Sequence, residues 1–278
     1  MTVSASDKKP TDTVFAGAVP EMYETLMVPL IFEPYAIDLA DRLSARSPRR
    51  VLEIAAGTGV VTRRLVATLP AGAAIVATDL NQAMLDHAAS LGTARPVEWR
   101  QADAMQLPFE DGSFDAVVCQ FGVMFFPDKA KAFAETRRVL APGGVFLFNV
   151  WDRIEDNEIA DTVTAALATL FPDDPPRFMA RVPHGYHDLA AIVEDVKQGG
   201  FATPPQTWTI AARSIAPSAR IAARGYCLGT PLRNEIEARD RGGLDRASEV
   251  TTEAIAARFG GGAVDAKIQA HVVMVDNA

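Results

Sequence analysis

The sequence predicts a doubly wound, Rossmann-like α/β domain, and three observations carry that reading. Short aliphatic runs alternate with helical patterns from Arg50 to Val150, and one run ends in a glycine loop, VLEIAAGTG from Val51 to Gly59. An acid, Asp79 in VATDLNQAM, follows the next run about 20 residues beyond the last glycine. A buried strand that turns through glycines into a helix, answered by a carboxylate after the second strand, is how such domains hold an adenosine.

Each element has its own signal. The runs VLEIA, AIVATD, VEWRQAD, FDAVVCQ and VFLFNVW are β-branched or aliphatic, as strands of a parallel sheet covered on both faces must be. Between them the pattern predicts helices over 60–68, over 81–90 with Asn81 as N-cap, and over 129–140, the last stopping before Pro142-Gly143-Gly144. After Trp151 come breakers, Pro172, Pro175, Pro176, Pro183, Gly185 and Gly199-Gly200, with two apolar-periodic helices over 157–170 and 187–198. This stretch reads as a helical cap inserted over the ligand edge of the sheet. Strands at 207–212 and 271–275 follow, with helices over 218–227, 232–239 and 247–258 between them and a turn at 258–262. The chain therefore divides into a mobile N-terminal tail (1–20), a cofactor-binding core with N-terminal helices (21–150), the cap (151–206) and the elements that complete the sheet (207–278).

Composition narrows the function. Hydrophobic residues make up 49% of the 278, yet no apolar run approaches the ~20 residues that span a bilayer, so no membrane span is expected. The formal charge of −8 and the lack of a basic run argue against a nucleic-acid partner. MTVSASDKKPTDT carries no apolar stretch, so it is not read as a signal peptide and the cytoplasm is the expected compartment. Two distant cysteines, Cys119 and Cys227, are too few for a zinc site or a disulfide framework and read as core residues; no metal is expected.

The loop then selects its cofactor. A dinucleotide loop places glycines first, third and sixth, whereas here Gly57 and Gly59 are followed by Thr62 in the sixth position. Glu53, close to the loop, opposes a pyrophosphate and suits a cation. S-adenosylmethionine has no phosphate, a ribose diol, an ammonium and a sulfonium, and it matches an acid-lined site approached by glycines. Asp79 at the end of the second strand can accept both ribose hydroxyls. Asp103 in RQADAM can take the adenine amino group, with the Ala104 N–H toward a ring nitrogen. Gln120 and Phe121, after the fourth strand, occupy the edge where the methionine end and methyl group would lie.

Four blocks in order complete the pattern: VLEIAAGTG, VATDLNQAML, QADAMQLPFEDGSFDAVVCQFG and RRVLAPGGVFLF. With them the chain resembles the class I S-adenosylmethionine-dependent methyltransferases, in the broad group that includes the ubiquinone and menaquinone C-methyltransferases. The resemblance covers about the first half of the chain and departs at Ala55, which stands where a glycine is frequent. It implies a seven-stranded, mostly parallel sheet with a final antiparallel strand, and an enzyme that moves a methyl group to a small-molecule oxygen, nitrogen or activated carbon, releasing S-adenosylhomocysteine. The implied cofactor residues are Glu53, Gly57, Gly59, Asp79, Leu80, Asp103, Ala104, Gln120 and Phe121. By the same analogy MYETLMVPLIFEPYA folds over the cofactor, with Tyr23 or Tyr35 touching it or else packing in the core.

Methyl transfer is an in-line displacement that alignment and exclusion of water can drive, so a base is needed only when the acceptor must lose a proton. Pro183-His184-Gly185-Tyr186-His187-Asp188 is the richest polar cluster of the expected cap. It makes His184 the candidate catalytic base and His187 a weaker one, although His187-Asp188 also reads as an ordinary helix start. Arg233, beside Tyr226-Cys227, would suit an acidic substrate or a surface ion pair. Phe121, Met124, Phe125 and Phe126 would line an apolar acceptor pocket. Two other readings remain open at this point: a nicotinamide-dependent oxidoreductase, and a binding module that keeps the cofactor fold without catalysis.

Overall fold

The computed structural model describes residues 10–13, 15 and 17–278. Among them the strands β1 (Arg50–Ile54), β2 (Ala74–Asp79), β3 (Glu98–Gln101), β4 (Phe114–Gln120), β5 (Leu140–Trp151), β6 (Gln206–Ala216) and β7 (Val264–Asp276) form one sheet. The order is β3-β2-β1-β4-β5-β7-β6. β7 runs antiparallel to β5 and β6, and the other pairings are parallel. The expected seven-stranded, mostly parallel α/β sheet is therefore present. Its strand order reverses between β1 and β4, and the crevice at their carboxyl ends is where an open α/β sheet takes its ligand.

The helices are α1 (Val19–Met22), which leads through a ten-residue π-helical stretch, Tyr23–Phe32, into α2 (Glu33–Ser44); α3 (Val60–Thr68), α4 (Gln82–Leu91) and α5 (Lys129–Val139); α6 (Glu158–Leu170), α7 (Phe178–Arg181) and α8 (Leu189–Gln198); and α9 (Ala219–Leu228), α10 (Leu232–Arg239) and α11 (Leu244–Phe259). Right-handed crossovers put α3 and α5 on opposite faces, because β2 and β4 lie on opposite sides of β1. α2 packs with α3, and α8 packs with α5. Between them Leu52, Val117, Phe146 and Phe148 are fully buried. Local chemistry sets several starts: Asp128, Asp188 and Ser218 each accept a backbone N–H of the first turn that follows.

Within 151–206, α8 lies against α5 as a crossover helix, and α6 packs against α11 and β7. Two expectations need correction. Part of the expected mobile tail is tied down. Residues 1–9 lie outside the described residues, but Pro10–Thr13 form a 3₁₀ turn whose Asp12 is buried against Arg181. Finally, β6 and β7 are far longer than 207–212 and 271–275: β6 is an edge strand whose alternate residues are exposed and so lacks an apolar run, and Asp265, Lys267 and Gln269 interrupt the first half of β7. Among the described residues no helix is long and apolar enough to cross a membrane, and no group of three His, Cys, Asp or Glu side chains is arranged to hold a metal. Cys119 and Cys227 are free and buried.

Candidate functional site

The loop after β1 winds through three left-handed residues, Ala55 (φ 55°), Gly57 (φ 57°) and Gly59 (φ 83°). Ala55 holds a conformation that costs an L residue about 1–2 kcal/mol, the consequence of its standing where glycine is frequent. Gly57 exposes its backbone to a cavity and donates its N–H to Asp79 Oδ2 at 2.9 Å. Gly59 serves packing instead: it is the N-cap of α3, and a Cβ there would meet the Trp99 ring at 2.9 Å.

Asp79 ends β2 and is nearly buried. Oδ2 accepts from Gly57, and Oδ1 accepts the Asn81 N–H at 2.8 Å. Burial pushes its pKa up, opposed by those N–H groups. A carboxylate has about four acceptor positions, so each oxygen keeps capacity for a hydroxyl. Asn81, placed at the N-cap of α4, does not cap it with its side chain; it turns its own donors to Asp79. Asp103 sits exposed in the turn after β3, with Oδ1 fixed by the Met105 N–H at 2.8 Å.

These groups line one cavity. Asp79, Leu80, Asn81, Asp103, Ala104 and Met105 form one part of its wall, and Gln120, Phe121 and Gly122 follow from β4. Phe15, Tyr23, Phe125, Phe126 and Pro127 make the aromatic part. Among the described residues the charged groups on the wall are both carboxylates, Asp79 and Asp103. Gln120 donates Nε2 to Phe32 O at 3.4 Å, while its Oε1 is buried without a partner among the described residues. An unpaired buried acceptor on a cavity wall is what a donor on a ligand would satisfy.

Tyr23 reaches the cavity from the π-helical stretch, its ring stacked on Phe32 at 4.9 Å. Tyr35 does not: it is a core residue whose hydroxyl donates to Ile210 O at 3.2 Å. A wider cleft lined by Met124, Lys129, Arg153, Tyr186 and His187 adjoins the cavity across Pro127, which lines both. Met124 therefore lines the cleft and not the cavity.

Three residues expected at the site are elsewhere. Glu53 lies beneath the loop, 1% exposed, and accepts the Thr62 hydroxyl at 2.5 Å. Burial raises its pKa to about 8. Thr62, the residue that broke the dinucleotide pattern, is thus the partner of Glu53. Gly59, as above, is covered by Trp99. His184 is buried behind Trp151, with ring centroids 5.9 Å apart, and its Nδ1–H donates to Asp152 O at 2.9 Å. Burial lowers its pKa to about 4, and the cavity wall does not include it, so the geometry gives it no acceptor proton to take. His187 meets His184 O through Nδ1 at 2.8 Å in the outer cleft. Arg233 pairs with Glu237 within α10, and Tyr226 is core. The sequence reading missed Phe15, Met84, Gly122 and Pro127 on the wall, and Asn149 and Trp151 behind it. Only Pro127 carried a signal, as punctuation between β4 and α5.

A protein family described as a methyltransferase domain matches residues 52–148. The demethylmenaquinone methyltransferase of Thermus thermophilus is 45% identical over 111 residues, 39% of this chain and 49% of that protein. A ubiquinone/menaquinone biosynthesis C-methyltransferase of Saccharophagus degradans is 37% identical over 121 residues, 42% of this chain and 47% of that one. The chain thus spans about half the length of the curated relatives it matches. Among solved structures, phosphoethanolamine N-methyltransferase 2 of Haemonchus contortus with S-adenosyl-L-methionine aligns over 93% of this chain and 56% of its own, with TM-score 0.55 at 17% identity. The YcgJ protein of Bacillus subtilis aligns over 87% and 98%, with TM-score 0.54 at 20% identity, which again shows the fold. Residues 52–148 therefore match a methyltransferase domain, and the chain as a whole shares the fold of the solved structures it aligns with.

Proposed function

We propose that the chain binds S-adenosylmethionine in this cavity and transfers its methyl group to a small, flat, apolar acceptor. The observation that carries the reading is the charge of the wall: two carboxylates and an unpaired amide oxygen suit a ligand that is cationic and rich in donors. Asp79 accepts the ribose hydroxyls, with Leu80 against the sugar and base, and Asp103 with the Ala104 N–H reads the adenine edge. Gly57 lets the backbone approach, and Gln120 Oε1 receives the ammonium group. When bound, the cofactor would supply a methyl on a sulfonium, open to in-line attack by an acceptor electron pair; a phenol or hydroquinone would react as its anion, its proton lost to solvent, and S-adenosylhomocysteine would leave.

Phe15, Phe121, Phe125 and Phe126 make this part of the wall apolar and exclude water, which supports a quinone-like acceptor of the kind named in the relatives, or a phenolic one. The net charge of −8 favours a small molecule over nucleic acid, and the cytoplasm remains our reading for the compartment. A screen of phenolic, quinone-like, amine and carboxylate acceptors for release of S-adenosylhomocysteine tests the activity. Turnover with ring acceptors is expected. Turnover confined to amines or carboxylates would overturn the acceptor class, and binding without turnover would favour a non-catalytic module.

A further inference from the structure

Phe121 holds a left-handed backbone, φ 50°, which is unfavourable for a bulky side chain. The surroundings here are specific. The Phe121 N–H donates to Asn149 Oδ1 at 2.8 Å, from the β5 position that pairs with Gln120. The Phe121 ring lies flat on Trp151, with centroids 3.8 Å apart and planes 3° apart, and meets Tyr35 edge-on at 5.3 Å. Beyond it, Gly122 passes so close to the loop that a Cβ would lie 2.6 Å from both Ala55 Cβ and Cys119 Sγ.

Asn149 is fully buried in the sheet, and its Nδ2 has no hydrogen-bond partner among the described residues. An unpaired buried donor is unfavourable, and an aliphatic side chain in this strand would avoid it. What the amide provides is Oδ1, the acceptor for Phe121. Gln120, Phe121 and Gly122 all line the cavity; β4 fixes Gln120, and the Phe121 φ angle sets the direction in which Phe121 and Gly122 leave it.

We propose that Asn149 and Trp151 are positioning residues for the amino-acid and sulfonium end of the cofactor, acting through the backbone and ring of Phe121. The proposal rests on the S-adenosylmethionine reading above. Neither residue lines the cavity; each fixes a residue that does.

Titration with S-adenosylhomocysteine and, separately, with adenosine, which lacks the amino-acid end, tests it. Asn149→Leu is expected to weaken S-adenosylhomocysteine about tenfold and adenosine by less than about twofold, and Asn149→Asp, which keeps an acceptor oxygen, to restore most of the loss. Glycine adopts φ 50° freely, so in a Phe121→Gly background Asn149→Leu is expected to change S-adenosylhomocysteine binding by less than about twofold. If Asn149→Leu does not fold, Trp151→Phe, which keeps a ring in the core, carries the same ligand-selective loss at about threefold. Equal loss of both ligands, no loss of either, or an undiminished Asn149→Leu effect in the Phe121→Gly background overturns the proposal. A wild-type protein that binds neither ligand would contradict the cofactor reading itself.

Discussion

Arg181 grips Asp12 with both terminal nitrogens, Nη1 to Oδ2 at 2.6 Å and Nη2 to Oδ1 at 2.7 Å, and Nη2 also meets Glu235 Oε1 at 3.0 Å. The pair ties the segment before α1 to α7 and α10, and three residues beyond Asp12 the ring of Phe15 closes the aromatic part of the cavity. Removing Asp12 costs Arg181 two charge-assisted hydrogen bonds and leaves it paired with Glu235. Asp12→Ala is therefore expected to destabilise the fold by about 1–3 kcal/mol and to release Phe15. Stopped-flow measurement of S-adenosylhomocysteine dissociation checks the second effect: a severalfold faster off-rate is expected, and an unchanged one would mean that the pair has no part in closing the site.

Glu53 and His184 give stability a defined pH dependence. The Glu53 carboxyl, raised to about 8 from an ordinary 4.5, binds a proton in the folded state that the unfolded chain has already released, so stability falls as pH rises from 4.5 to 8. His184, lowered from 6.5 to about 4, works in the opposite sense: between pH 4 and 6.5 the unfolded chain binds the extra proton, and stability rises with pH. The two slopes oppose each other below pH 6.5; above it His184 no longer contributes, and Glu53, at up to about 1.4 kcal/mol per pH unit, acts in the same sense as the raised carboxyl of Asp79. Urea unfolding across pH 5 to 9, roughly the window of both groups, is expected to show a decline above 6.5 that Glu53→Gln makes shallower. A decline of equal size in Glu53→Gln would place its source elsewhere.

Much of this was legible beforehand, and the exceptions share a cause. β1, β2 and β4 were readable to within a residue because strands buried on both faces show unbroken apolar runs. Asp79, Asp103 and Gln120 were readable as lining the cavity because they stand at or just past strand ends, where the chain itself delivers side chains to the crevice. The polar neighbours of Glu53 and His184 look in sequence like those of working groups. Only burial under Thr62 and behind Trp151 shows otherwise. Asp12 and Phe15 acquire a role through contacts with α7 and the cavity, far along the chain, which no local pattern encodes.

The crossing of Ala55 and Gly122 makes a paired prediction. Ala55→Gly removes a left-handed penalty and is expected to raise stability by up to about 1 kcal/mol. Gly122→Ala forces a Cβ to within 2.6 Å of Ala55 Cβ and Cys119 Sγ, and is expected to lose about 1–3 kcal/mol. Thermal unfolding of the two variants should move in opposite directions. A neutral Gly122→Ala would mean that the loop after β4 yields more easily than its packing implies.

The central claim is that Asp79 holds an adenosine ribose at the end of β2, and calorimetric titration of S-adenosylmethionine into wild type and Asp79→Ala tests it most directly. Wild type is expected to bind S-adenosylmethionine and not NAD, with Asp79→Ala weaker by about 1–3 kcal/mol from lost hydrogen bonds to a charged group. Unchanged affinity in Asp79→Ala, or tighter binding of NAD than of S-adenosylmethionine by wild type, would contradict it.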